Sequence, residues 1–211
     1  WGCVYTWWGY AAEDCTAAEI GVRSSFSRVP ATNDYEAFHY DDKLLSRFGY
    51  FRTEYFTYDE QRGLTESGRR YMINRHNIWA KSKDGDTMIP VPQRQLRTVP
   101  YYLSLEFPDD PILLEAAKTT MKQWNDAMRV GLDALGVSDQ KSVFVLCSNP
   151  VATGDDPACG EPGFSPRIGD LRYSTLHWVD TETLAGLLGY GPSAVDPVTG
   201  ETISGKAYVY E

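Results

Sequence analysis

Residues 169–211 read GDLRYSTLHWVDTETLAGLLGYGPSAVDPVTGETISGKAYVYE, and the reading of this stretch decides the fold. Leu171, Tyr173, Thr175, His177 and Val179 alternate with Arg172, Ser174, Leu176 and Trp178. That is the two-residue period of a strand with both faces covered. Asp196-Pro197-Val198-Thr199-Gly200 is turn chemistry: the proline ring presets one backbone angle, and Gly200 can take a positive φ. Thr202 to Tyr210 then runs extended. Between the two strands, Gly189-Tyr190-Gly191-Pro192-Ser193-Ala194-Val195 is a glycine-rich crossing suited to a sheet edge, because Pro192 withholds one donor and the glycines let another backbone come close.

Upstream, Thr98 to Phe107 (TVPYYLSLEF) predicts a strand with Tyr101, Leu103, Leu105 and Phe107 on one face. Asp110 is a good N-cap and Pro111 suits the first helical position. Leu114, Ala117, Met121, Trp124, Met128, Leu132 and Leu135 recur every three or four residues, the stripe of an amphipathic helix of about 25 residues. Leu114, Met121, Trp124 and Met128 are expected to face the sheet as core, and Gly136 is placed to end the helix. Ser142 to Cys147 (SVFVLC) is a short apolar run, as for a buried strand. Strand, long helix, buried strand, loop, strand and edge ribbon form an α/β layer order.

The N-terminal part reads differently. Trp1, Tyr5, Trp7, Trp8 and Tyr10 crowd one short loop and predict a compact aromatic cluster. Val22 to Val29 alternates like a strand. Asp34 to Lys43 (DYEAFHYDDK) predicts a solvated acidic loop; it lacks the residue pattern of a calcium loop. Phe48 to Tyr58 and Arg69 to Trp79 predict two more strands, and Lys81 to Asp86 (KSKDGD) a turn. A boundary is expected near residues 81–95. The fold class is therefore α+β: a β-rich N-terminal segment (residues 1–90), then a mixed sheet with one long packed helix (residues 91–211).

The order GDLRYS, Trp178, GYGPS and DPVTGE, with RFGYF and RHNIW earlier, resembles large secreted bacterial zinc metalloproteases of the zincin class. The resemblance runs from about Val22 onward. It implies that the chain is the first half of a zincin-like catalytic domain with the β-rich segment before it. In that family the ribbon at Gly189 to Val195 would form the substrate-facing sheet edge, and a helix carrying His-Glu-x-x-His would follow. That motif does not occur in these 211 residues. Resemblance thus implies a zinc cofactor and a peptide or protein substrate for the complete protein, and no metal site, catalytic residue or peptidase activity in this chain alone. A C-terminal portion carrying the metal helix is the implied partner.

Composition bounds the alternatives. Net charge is −9, which speaks against nucleic acid, since phosphate neutralisation dominates such binding. No apolar run approaches the roughly 20 residues of a membrane span. The chain opens at Trp1 without a signal peptide, as expected of a processed or excised piece. Four cysteines allow three connectivities, of which local pairing, Cys3 with Cys15 and Cys147 with Cys159, is expected. Paired cysteines point to an oxidising compartment, secreted or at the cell surface. The three histidines, His39, His76 and His177, lack the i, i+4 partner that would put two ligands on one helix face, and are read as structural. The alternative function, from a different class, is a non-catalytic extracellular module binding carbohydrate or cell-envelope polymer through its aromatic surface.

Overall fold

The computed structural model describes residues 21–28, 34–180 and 188–210, so Cys3, Cys15 and the Trp1–Tyr10 cluster lie outside the described residues. Residues 22–28 form no strand, contrary to their alternation, and six of these seven are largely exposed. The acidic stretch that follows does more than stay in solvent. The Asp34 carboxylate accepts from the backbone N–H groups of Ser82 and Lys83, and Tyr35 and Tyr40 are buried. Asp41 accepts from Leu44 N at 2.9 Å and so starts helix α1 (Asp42–Phe48), which Gly49 closes at φ 71°. Sequence periodicity failed here because the tyrosines are spaced for a packed loop, not for a strand or helix.

The N-terminal strands form as expected but shorter. β1 (Arg52–Phe56) pairs antiparallel with β2 (Arg69–Ile73). Arg75 and His76 form β3, and β4 (Lys83–Asp84) turns through Gly85 into β5 (Thr87–Met88).

The main sheet is built from β6 (Val99–Leu103), β7 (Phe144–Cys147), β8 (Ser174–Val179) and β11 (Glu201–Tyr210), joined by helix α2 (Pro111–Ala134) between β6 and β7. β7, β6, β8 and β11 are parallel in that order. Beyond β11 lie two short antiparallel pieces, β9 (Gly189–Tyr190) and β10 (Ser193–Val195). β3 adds to β11 on its other side, parallel, with Arg75 opposite Glu201 and His76 opposite Thr202. The fold is thus α+β, with a seven-stranded mixed sheet and one long helix. No helix among the described residues is long and apolar enough to cross a membrane.

Helix α2 starts where its cap predicts: the Asp110 carboxylate accepts from Ile112 N and Leu113 N. It ends before Gly136, whose φ of 74° reverses the chain and lets Val137 N reach Leu132 O. Its C-terminal half packs tightly. Leu132, Val137, Val143 and Leu96 form one core cluster, with Met128 against it. Each such fully buried side chain contributes about 1.5–3 kcal/mol. Asn125 ties the helix to β7, donating to Phe144 O at 2.7 Å and accepting from Phe144 N at 2.9 Å. The opposite sheet face holds a second cluster around the Cys147–Cys159 disulfide, with Tyr102 donating to Cys159 O at 2.9 Å.

Two expectations for this layer are corrected. β6 ends at Leu103, and Leu105, in the turn beyond it, is 62% exposed. Trp124, expected in the core, is 61% exposed, and Leu135 is exposed at the helix end. The stripe is real, but the chain described covers only part of it.

The N-terminal segment is keyed into the main sheet at the Asp196–Gly200 turn. Gly200 has φ 77°, and a Cβ there would lie 2.3 Å from Ile73 O of β2. Only glycine meets both demands. Arg75 N donates to Gly200 O at 3.2 Å alongside.

Candidate functional site

β9 and β10 sit side by side along β11 and form the outer rim of the sheet. Gly189 and Tyr190 pair with Val209 and Tyr208, and Ser193, Ala194 and Val195 with Gly205, Ser204 and Thr202. Gly191 and Pro192 link the two, with Lys206 N donating to Pro192 O at 2.8 Å. A register shift between Ala194 and Val195 bends the rim. The outer side of this ribbon has no strand partner among the described residues. All seven residues from Gly189 to Val195 therefore belong to one edge. The glycines differ in use: a Cβ on Gly189 would press to 3.2 Å from Tyr208 O, whereas one on Gly191 would make ordinary contact with Lys206 O at 3.8 Å. Gly189 thus serves pairing within the sheet, while Gly191 has room.

On one face of this edge the rings line up across strands. Tyr190 stacks on Tyr208 at 6.4 Å, and His177 meets Tyr208 edge-on at 5.2 Å. His177 Nδ1 is buried without a hydrogen bond, 3.9 Å from Glu106 Oε2.

On the other face, under the N-terminal half of α2, lies an apolar groove of about 620 Å³. Leu113, Met121 and Trp124 form its helix wall, and Leu176, Trp178 and Val209 its sheet wall. Phe107 reaches it from the turn after β6 and packs edge-on against Trp178 at 6.0 Å.

At the head of the groove, His76 and Tyr101 form a polar pair, Nε2 to Oη 3.0 Å. Burial, reinforced by the positive charge of Arg97, depresses the His76 pKa to about 4, so its imidazole is neutral at pH 7. Burial raises the Tyr101 pKa. Ser174 stands opposite Tyr101 across the β6–β8 ladder, and its Oγ accepts from Gly205 N at 3.0 Å. A Cβ on Gly205 would fall 2.2 Å from Tyr101 Oη. Sequence reading assigned no role to this chain of groups. The one signal was a glycine inside the final strand, which marks close approach by another group.

His39, by contrast, is exposed and only bridges to Met72, so the three histidines lie apart. Among the described residues no three His, Cys, Asp or Glu side chains converge to hold a metal. Asp155 and Asp156 are occupied locally: Asp155 accepts from Ser148 N and Ala152 N, and Asp156 caps a short 3₁₀ turn. Comparison of the chain with known protein families, with characterised proteins and with solved structures finds no match.

Proposed function

We propose that this chain is the scaffold and substrate-edge part of a secreted zinc-dependent endopeptidase whose metal ligands come from a C-terminal portion. The observation that carries this reading is the outer side of the β9–β10 ribbon, which has no strand partner among the described residues and runs antiparallel on an otherwise parallel sheet. Such an edge can hold an extended peptide as one more strand, with main-chain hydrogen bonds for grip and alternate side chains for selectivity. An unpaired edge also invites aggregation, which favours a use for it. The apolar groove beside it supports the same reading. A parallel sheet needs cover on both faces, and among the described residues α2 leaves β8 and β11 short of it. A further helix seated there would bring its inward side chains next to the edge.

The test uses the chain together with the C-terminal continuation of its reading frame. That protein is expected to hold one zinc per chain and to cleave peptides. Gly191→Val is expected to lower kcat/KM about tenfold or more, because a branched side chain crowds the approaching strand, with zinc content and Tm unchanged. A continuation without zinc ligands, or turnover indifferent to Gly191→Val, would refute the reading.

A further inference from the structure

The strand positions of the rim before its bend carry one large side chain. Gly189, Ser193 and Ala194 are small, and Tyr190 stands among them 58% exposed. Its surroundings follow from register. Tyr190 pairs with Tyr208 on β11, and Tyr208 with His177 on β8. Side chains directly opposite one another on neighbouring strands share a face, so these three form one row across the sheet. The row is braced from within. His177 meets the Tyr208 ring edge-on at 5.2 Å, and Tyr190 lies against Tyr208 with the two planes 22° apart. Tyr190 therefore rests on a ring that is itself held, which lowers the ordering cost of a contact made to it.

A peptide strand added outside β9 continues this row by one position. Its alternate residues point to the face of Tyr190, and the one opposite Tyr190 meets that ring. The residue opposite Gly189 points to the other face and finds no side chain there. Two kinds of side chain are attracted to a tyrosine ring: another ring, in offset or edge-on packing, and a cation over its face. The charges on this face separate the two. Lys206 shares the face with Tyr208, two residues along β11, the strand next to Tyr190. Glu106 is at the far end of the row, 3.9 Å from His177 and beyond β8. A cation brought to the rim thus meets the like charge of Lys206 across one strand and the opposite charge of Glu106 only across two.

Given the peptide-holding edge described above, on which this inference rests, we propose that the rim selects peptides with an aromatic side chain opposite Tyr190 and gives no matching preference to a cationic one.

The test titrates the ¹⁵N-labelled chain at pH 7 with blocked peptides, N-acetyl-Thr-Val-Xaa-Val-Thr-amide, in which Xaa is Phe, Arg or Ala. Binding is followed through the amide signals of the rim from Gly189 to Ala194. The Phe peptide is expected to bind about threefold to tenfold tighter than the Ala peptide, the range of a favourable ring pair, and the Arg peptide about as weakly as the Ala peptide. Tyr190→Ala, a change at an exposed position, is expected to bring the Phe and Ala peptides to about equal affinity. Rim signals that move equally with the Phe and Ala peptides, an Arg peptide as tight as the Phe peptide, or a Phe preference that survives Tyr190→Ala would overturn the proposal and leave the edge reading standing. Rim signals that no peptide moves would remove the edge, and both readings with it.

Discussion

The two halves of helix α2 carry one apolar stripe and meet two different fates. From Asn125 onward the stripe is closed: Met128 and Leu132 press into Leu96, Val137 and Val143, and Asn125 clamps β7. Before Asn125 it is open: Leu113, Met121 and Trp124 overhang the groove above β8 and β11. The residue types barely differ between the halves. The difference is what stands opposite. β7 and the loop at Val137–Val143 rise to meet the second half, and no described segment does so for the first. An apolar period therefore identifies the side of a helix that will be covered, and leaves open what covers it.

Substitutions on the two halves should separate accordingly. The largest effect is expected at Leu132→Ala, a large-to-small change in the closed half, which should cost about 2–5 kcal/mol in urea unfolding. A cost below about 1 kcal/mol, the range of surface positions, would mean the two halves are not different in kind.

Next in size is an acid effect at the border between the halves, where His76 touches both the groove and Phe144, edge-on at 5.9 Å. Its folded pKa of about 4 lies below the ordinary 6.5, so the unfolded chain binds the proton first as pH falls. The stability tied to the neutral ring is whole above pH 6.5 and is lost progressively towards pH 4. The loss should reach up to roughly 3 kcal/mol, because each pH unit between the unfolded and folded pKa is worth about 1.4 kcal/mol. Comparing urea midpoints at pH 7 and pH 4.5 checks this, with His76→Gln as control. Equal pH dependence in the two proteins would remove His76 from the border.

The smallest effect is expected at Trp124→Ala in the open half. Trp124 is the bulkiest residue of the stripe, yet at 61% exposure its loss should change stability by less than about 1 kcal/mol in this chain. A cost comparable to Leu132→Ala would show that the groove is closed in solution.

Much of the fold was legible. Asp110, Pro111 and Gly136 set the ends of α2 because capping is a contact within one helical turn. The Asp196–Gly200 turn and the strands at Ser174–Val179 and Glu201–Tyr210 followed from local chemistry and a two-residue period. The Cys147–Cys159 pair followed from its spacing, whereas the run Gly189 to Val195 is put at an edge by the family resemblance, to which its glycines and proline lend only support. Asp34 to Lys43 misled, because its anchors are Ser82 and Lys83, about fifty residues away.

Local sequence therefore settles where most strands, turns and the long helix begin and end, since those depend on neighbours within a few residues. Tertiary structure alone decided which stretch of the apolar stripe is covered, that Gly200 must fit under Ile73 O, and that His76, Tyr101, Ser174 and Gly205 meet. Those four residues come from four different strands, three of them in parallel register beside a fourth. Their meeting depends on the order of strands in the sheet, and parallel neighbours are joined by long crossovers that carry no local trace of that order.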